Sequence, residues 1–202
     1  MSAEVADIIY SMDLGAIQSQ LALQCAPLIV GLKISNLFVT STHNIRALRK
    51  TLSGSGLSFY LLTSSEGKAT FFVYKEKCML KYLHEPEVNA FLSEYGYTNN
   101  TNLTDIFLEF RRRYAAYQRG EGGFPHEMGV FLGYPIEDVR GFIENDGQGY
   151  LYSGYWKVYE GVDEKKDTFE LYEIAKETLV CLISSGIDIS EIIETYCGDI
   201  AA

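Results

Sequence analysis

The sequence predicts an α+β fold, a helix-rich single domain with a small antiparallel sheet built around a hairpin at about residues 57–74. Two apolar and aromatic runs, residues 57–63 and 69–74, flank a five-residue loop that contains Gly67, which is typical of a hairpin. Most other segments carry the apolar period of helices. Strands do not alternate regularly with helices, which favours α+β over a doubly wound parallel sheet.

The elements before the hairpin are mainly helical. Residues 3–24 are predicted to be helical with a break near residues 13–15, and Pro27 is expected to interrupt any helix that arrives from upstream. Residues 36–40 form a predicted strand. Residues 44–52 form a predicted short basic helix with Asn44 as its N-cap.

The elements after the hairpin are helical up to residue 120 and again near the C-terminus. Asn102, at the end of a polar linker over residues 99–102, is the expected N-cap of one helix, and Asp167 is the expected N-cap of a second, longer one. The predicted helices cover residues 76–84, 86–95, 102–119, 167–185 and about 190–197.

Residues 120–159 differ from the rest of the chain, because they hold half of its glycines and its only tryptophan. Pro125 and Pro135 each open a predicted short helix, since the first turn of a helix needs no N–H from proline. Gly147 is expected to end the second helix in a left-handed conformation. The aromatic residues from Tyr150 to Tyr159 predict one or two short strands with glycine bends.

Length and charge limit the classes of function. The 202 residues suit one domain, with a helical and hairpin part at residues 1–98 and a mostly helical part at residues 99–202. A net charge of −10 makes binding of nucleic acid or of an anionic membrane unlikely. The chain opens with no signal-peptide pattern and contains no apolar run long enough for a membrane span, so the expected location is cytoplasmic.

No cofactor or metal is predicted. The four cysteines lack C-x-x-C spacing, and the three histidines lack the spacing of zinc ligands, so a metal site would have to arise from the fold. Glycine motifs for dinucleotides or phosphates are also missing. The expected partners are a small-molecule ligand or another protein, and the oligomeric state is left open.

Several short motifs resemble a family of bacterial proteins grouped as a domain of unknown function, number 3793. The motifs that carry the resemblance are Cys25-Ala26-Pro27, Gly31-Leu32-Lys33, Asn36-Leu37-Phe38, Phe124-Pro125-His126-Glu127, Phe131-Leu132-Gly133-Tyr134-Pro135, Glu137-Asp138-Val139, Gly141-Phe142-Ile143 and residues 154–159. The family would span nearly the whole chain. The resemblance implies a bacterial, cytoplasmic origin and no established activity, so it assigns no catalytic residue.

The leading hypothesis for function is a small-ligand-binding or accessory protein whose site is lined by residues 120–159. Aromatic side chains there would supply flat apolar walls, basic side chains would hold an anionic group, and glycines would let the backbone approach a ligand. The candidate ligand-binding residues are Lys33, Tyr134, Arg140, Tyr155, Trp156 and Lys157. The alternative is that these aromatic residues pack the core and that the glycines serve turns.

A second hypothesis is a thiol-dependent hydrolase or transferase that uses Cys25 as nucleophile and His126 as base. Cys25 lies shortly before Pro27, which can open a helix, and a helix N-terminus lowers the pKa of a thiol. His126 is also expected at the start of a helix and could accept the proton. Sequence spacing does not bring the two residues together, and the alternative is a buried Cys25 in the core.

Two further readings stay open. A protein–protein adaptor would show an exposed apolar patch. The spacing of Gly129, Gly133, Val139 and Phe142 resembles a helix-turn-helix, but Glu137 and its acidic neighbours on the second helix would repel the phosphates of DNA.

Overall fold

The computed structural model of the protein describes residues 3–97 and 102–198. Its helices are α1 (Ala3–Ser11), α2 (Ile17–Ile29), α3 (Ile45–Leu52), α4 (Glu76–Leu83), α5 (Pro86–Glu94), α6 (Leu103–Gln118), α7 (Glu127–Phe131), α8 (Ile136–Glu144), α9 (Val162–Ser184) and α10 (Ile189–Cys197). Its strands are β1 (Ser35–Ser41), β2 (Ser58–Ser65), β3 (Lys68–Tyr74), β4 (Tyr152–Ser153) and β5 (Lys157–Val158), and a 3₁₀ turn covers Thr42–Asn44. The predicted α+β class, rich in helix and with a small antiparallel sheet, is confirmed.

The chain folds into two compact units, Met1–Glu76 with Glu170–Ala202 (unit 1) and Lys77–Phe169 (unit 2). The predicted division at residues 98 and 99 falls outside the described residues, as does most of the predicted linker at 99–102. The expectation of a single domain therefore stays a prediction.

Unit 1 is built around a three-stranded antiparallel sheet in the order β1-β3-β2. β2 and β3 form the predicted hairpin, but its loop has two residues rather than five, since Ser65 pairs with Lys68. Glu66 and Gly67 both adopt positive φ, 49° and 76°, which is the backbone of a tight two-residue hairpin turn. The inner face of the sheet, with Phe38 and Phe71, joins a core shared with α2, α3, α9 and α10.

Helix α2 runs through Pro27, so the predicted interruption at this residue is wrong. Pro27 lies in the last turn of α2, and only Leu28 and Ile29 follow it within the helix. The helix ends beyond it at Ile29, and Gly31, with a φ of 88°, forms the turn that follows. Leu32 N–H donates to Pro27 O, and Gly31 N–H donates to Leu28 O, the two bonds of a Schellman C-terminal motif.

The N-cap predictions have different outcomes. Asn44 does lie at the N-cap position of α3, but it makes no side-chain capping bond, and its amide donates to Gly15 O and Thr40 Oγ1 instead. Helix α9 begins at Val162, so Asp167 lies in its interior. By contrast, Asn102 accepts the N–H of Thr104 and caps α6 as predicted.

Unit 2 packs its helices around aromatic side chains. Phe131 of α7 lies edge-on to Phe110 and Phe107 of α6, with ring centroids 5.0 and 6.2 Å apart, and also contacts Tyr97. The buried carboxylate of Glu127 accepts a hydrogen bond from Tyr97 Oη and an ion pair from Arg113. These contacts fix α6 and α7, and with them the position of α8.

Glycine is required where the segment after β5 crosses α8. A Cβ on Gly141 would lie 2.5 Å from Tyr159 Cγ, whereas a Cβ on Gly123, in the loop before α7, would meet nothing within 4 Å. Replacement of Gly141 by Ala therefore forces either the Tyr159 ring or the α8 backbone to move.

We expect Gly141→Ala to lower the free energy of unfolding by about 2 kcal/mol, because overpacking outweighs the gain in helix propensity. Gly123→Ala is the matched control and should change it by less than about 0.5 kcal/mol. Urea unfolding followed by the fluorescence of Trp156 measures both. Equal stability of the two variants would contradict the close packing of Tyr159 on α8.

Candidate functional site

The side chain of Asp138 holds the segment 149–160 against α8. Asp138 lies in the first turn of α8 and is 2% exposed. Its Oδ2 accepts Trp156 Nε1–H at 2.7 Å, and its Oδ1 accepts the backbone N–H groups of Tyr159 at 2.7 Å and Glu160 at 3.3 Å. A buried carboxylate is stable only with such donors, and the helix N-terminus also favours its charge.

Trp156 packs between two rings in this arrangement. Tyr134 stacks on it with centroids 5.0 Å apart, and Phe169 meets it edge-on at 4.5 Å. A Cβ on Gly154 would lie 2.3 Å from the Phe169 ring, so the absence of a side chain at this position lets the Phe169 ring pack against the backbone of Gly154. Tyr134 Oη also donates to the carbonyl of Tyr155 at 3.4 Å. Three of the candidate ligand-binding residues, Tyr134, Tyr155 and Trp156, therefore lie together.

A second group of rings surrounds Phe142 on α8. The ring centroids of Phe124, His126 and Phe142 form a triangle with separations of 5.4, 5.9 and 6.4 Å. His126 Nδ1 is buried and has no hydrogen-bond partner. Phe124 is 40% exposed, so the group reaches the protein surface.

Lys157 completes this group from β5. Its ammonium lies 5.7 Å from the ring centroid of Phe142 and 4.8 Å from that of Tyr150, and Nζ donates to Gly147 O at 2.6 Å. Gly147, at a φ of 69°, lets its backbone pass within contact distance of the Phe142 ring. We call the set Phe124, His126, Phe142, Tyr150 and Lys157 the Phe142 surface.

Arg140 is engaged elsewhere in unit 2. Its guanidinium makes two bonds to Glu94, at 2.7 and 3.3 Å, and lies over the ring of Phe91. The bonds from Arg140 hold the pKa of the Glu94 carboxyl below its usual value. Nothing tests the predicted role of Arg140 in ligand binding.

Unit 1 contains a different polar cluster, around Cys25 and Lys33. Lys33 follows the turn at Gly31, is 8% exposed and donates from Nζ to Asn36 Oδ1 at 2.9 Å. Asn36 in turn donates from Nδ2 to Gln24 O at 2.6 Å and to Leu37 O. Cys25 is fully buried beside them.

Burial controls the titration of this cluster. Desolvation raises the pKa of the Cys25 thiol to about 12, although Lys33 and the bond to Asn36 act in the opposite direction. Desolvation also lowers the pKa of Lys33 to about 8, with an opposing contribution from Cys25. The thiol is therefore protonated at neutral pH, and Cys25 lies near the C-terminal end of α2 rather than at a helix N-terminus. This environment lacks the features that activate a catalytic thiol.

Cys25 belongs to unit 1 and His126 to unit 2. Their assignment as nucleophile and base stays a prediction, as does the role of Lys33 in a ligand site. Sequence reasoning included Tyr150 among the aromatic walls of a pocket in residues 120–159, but it did not single out Phe124 or Phe142 as ligand contacts. Phe142 had the helical spacing of a core residue, and only the glycines around these rings signalled their close packing.

The described residues contain neither a cluster of metal ligands nor a membrane-spanning helix. No group of three or more His, Cys, Asp and Glu residues is arranged to hold a metal ion in 3–97 and 102–198. Within the same ranges, none of the helices combines the length and apolar character needed to cross a membrane.

The sequence profile of a family described as "Protein of unknown function (DUF3793)" matches residues 21–193. The match covers well over half of the chain, so the protein belongs to this family, as the resemblance of its motifs predicted. Neither the curated proteins nor the solved structures give a match.

We expect Cys25 to resist alkylation in the folded protein, because its thiol is buried and protonated. Iodoacetamide at pH 8 should modify exposed Cys181 at least about a hundredfold faster than Cys25, which should react only after unfolding in urea. Mass spectrometry of tryptic peptides measures both rates. Fast modification of Cys25 that depends on His126 would instead support the thiol-enzyme hypothesis.

The titration of Lys33 should make the free energy of unfolding rise with pH above about 8. Between that value and the ordinary lysine pKa of 10.5, the unfolded chain keeps a proton on Lys33 that the folded protein has lost, so raising the pH favours the folded state. From pH 7 to pH 9, the wild type should gain about 1 kcal/mol of unfolding free energy relative to Lys33→Met.

Urea unfolding at both pH values measures this difference, with Lys68→Met at an exposed position as the matched control. The control should track the wild type at both pH values. A difference between the wild type and Lys33→Met that does not change with pH would show that Lys33 stays charged in its cluster.

Proposed function

We propose that the protein binds a small anionic ligand with a flat ring at the Phe142 surface. The observation that carries the proposal is His126 Nδ1, a buried polar atom without a partner, at a cluster of rings that reaches the protein surface. A buried polar group left without a hydrogen bond costs about 1–3 kcal/mol. A ligand that bonds to His126 Nδ1 would remove this cost, which requires the surrounding rings to move because the atom is buried.

The ammonium group of Lys157 is the reason to expect that the ligand is anionic. Its ammonium has three N–H donors, and one of them goes to Gly147 O. Among the described residues, no carboxylate lies within salt-bridge distance of Lys157. The rings of Phe142 and Tyr150 hold the charge in place, and an anionic group on a ligand could supply the missing acceptor.

The exposed rings support the flat shape of the ligand. Phe124 and Tyr150 are each about two-fifths exposed, at 40% and 42%. Aromatic faces bind other aromatic rings by stacking or edge contact, with a gain of about 0.5–1.5 kcal/mol beyond burial alone. The surface therefore combines an apolar platform with a small number of polar groups, which is the usual composition of a ligand site.

The remaining candidates keep lesser roles in this proposal. Trp156 donates its one N–H to Asp138, and Arg140 donates two of its five N–H groups to Glu94. Tyr134 and Tyr155 would shape the segment that carries Lys157, and a contact of Lys33 with the ligand stays a prediction. The proposal takes the protein to be bacterial and cytoplasmic, and its four cysteines, none of them in a disulfide, are typical of that compartment.

Four small probes test the proposal: benzoate, 4-hydroxybenzoate, phenyl phosphate and the neutral benzamide. In ¹H–¹⁵N spectra of the ¹⁵N-labelled protein, we expect the anionic probes to shift signals of residues 124, 126, 142, 147, 150 and 157, with the weak affinity usual for fragments of this size. Benzamide should bind more weakly than benzoate, because it lacks the charge that Lys157 recognises.

Lys157→Met should weaken benzoate binding about tenfold, which corresponds to the loss of one charge-assisted contact. The matched control is Lys166→Met, which removes a lysine that lies 5.2 Å from the ring of Tyr152, outside the Phe142 surface. The proposal fails if no probe shifts these signals, or if both lysine variants weaken binding equally.

A further inference from the structure

The two ring nitrogens of His126 have different surroundings. Nδ1 is buried and has no hydrogen-bond partner, whereas Nε2 is not buried, so water can bond to it. In a neutral imidazole one nitrogen donates and the other accepts. A buried N–H without a partner is rarer in proteins than a buried acceptor without one, so the proton belongs on Nε2. The group that Nδ1 lacks is therefore a hydrogen-bond donor.

Lys157 lies close enough to His126 for one ligand to contact both. The ammonium of Lys157 and the ring centroid of His126 lie 5.7 and 5.9 Å from the ring centroid of Phe142. A ligand whose single aromatic ring packs on Phe142 therefore has both groups within reach. Its anionic group would bind Lys157, and its donor would bond to Nδ1.

The charge of the ligand limits which donor it can carry. An ammonium group would cancel the negative charge that Lys157 recognises. A phenolic hydroxyl has an ordinary pKa of about 10, so it is neutral and keeps its proton at neutral pH. A hydroxyl group on the ring of an aromatic acid therefore supplies the donor and leaves the charge unchanged.

Access to Nδ1 requires a ring to move, and Phe124 is the ring that is least held in place. Phe142 belongs to helix α8, and a Cβ on Gly147 would lie 2.9 Å from its ring, so backbone packs closely against it. Phe124 is 40% exposed and meets Tyr117 edge-on at 5.3 Å and His126 at 5.4 Å.

The segment before Phe124 permits this movement. Residues 120–124 are exposed, and a Cβ on Gly120 or Gly123 would meet nothing within 4 Å. In the part of the chain that the structure describes, the backbone of Gly122, Gly123 and Phe124 makes no hydrogen bond to other backbone groups. Displacement of the Phe124 ring therefore breaks ring contacts and no backbone ladder.

We propose that the ligand of the Phe142 surface is an aromatic acid with a hydroxyl group on its ring. The carboxylate binds Lys157, and the hydroxyl donates to His126 Nδ1 after Phe124 has moved aside. This ligand class rests on the proposed function and adds the hydroxyl group to it.

The probes are benzoate, 3-hydroxybenzoate, 4-hydroxybenzoate and the two corresponding methoxybenzoates, each titrated at pH 8 into the ¹⁵N-labelled full chain. At least one hydroxybenzoate should bind about fivefold more tightly than benzoate, which corresponds to the net gain from one hydrogen bond. Its methoxy analogue keeps the oxygen but has no proton to donate, so it should not show this gain.

His126→Phe should bring the ratio of the hydroxybenzoate and benzoate affinities to about one, because the variant keeps a ring and loses Nδ1. The matched control is His84→Phe, at an exposed position of α4 in the same unit, which should keep the ratio of the wild type. Circular dichroism checks that each variant is folded. A crystal structure of the hydroxybenzoate complex should show the hydroxyl within hydrogen-bond distance of Nδ1 and the Phe124 ring displaced.

Three results would overturn this ligand class. The first is equal binding of benzoate and both hydroxybenzoates, and the proposed function still stands if benzoate shifts the signals of the Phe142 surface. The second is a proton on Nδ1 in ¹⁵N spectra of the His126 ring at pH 8. The third is a complex in which the hydroxyl faces solvent and Phe124 keeps its place. If none of the anionic probes binds, the proposed function fails as well.

Discussion

The arrangement of the Phe142 surface depends on one buried carboxylate. Removing an ion from water costs several kcal/mol unless it is compensated, and Asp138 recovers this through three N–H donors from Trp156, Tyr159 and Glu160. Strands β4 and β5 have only two residues each, which is too little for a hairpin to hold itself together. The bonds to Asp138 therefore hold this segment in place, which the hydrogen bonds between β4 and β5 are too few to do. They position Lys157 over the ring of Phe142.

The cluster in unit 1 contains a buried group of the opposite charge. Lys33 is buried as deeply as many core residues, and this desolvation lowers its pKa although Nζ donates to Asn36 Oδ1. Beside it, Cys25 keeps its proton firmly, because the same burial disfavours a thiolate. A nearby lysine is usually a reason to expect a reactive cysteine, but desolvation is the larger effect on the pKa here.

Most of the fold could be predicted because local signals agreed with it. The hairpin, the break before α2, the cap at Asn102 and the left-handed Gly147 all follow from short-range physical preferences. The errors arose where two local signals competed. Pro27 normally ends a helix, but α2 continues two residues further to Ile29 and is closed by the Schellman turn at Gly31. Asp167 is a good N-cap, yet α9 begins at Val162, where Asp163 and Glu164 favour its first turn.

The candidate site could be predicted only in part. Composition placed it within residues 120–159, and Tyr134, Tyr155 and Trp156 do lie together. The partner of Arg140 could not be read from the sequence, because Glu94 lies 46 residues away and pairs with it only through the fold. The role of Asp138 could not be read from the sequence either. It has the position of an ordinary acidic residue in the first turn of a helix, and its donors come from a segment about twenty residues further along the chain.

The polar atoms that remain unsatisfied are more informative about function than those that are satisfied. In unit 2 the folded chain provides bonds for Asp138, Glu127 and the indole of Trp156, yet leaves His126 Nδ1 without one. Tyr159 Oη is a second buried atom without a partner, so a missing bond does not by itself indicate a ligand. The physical reason to expect a ligand at His126 is its place in a cluster of rings that reaches the surface, close to Lys157, which has no carboxylate partner among the described residues.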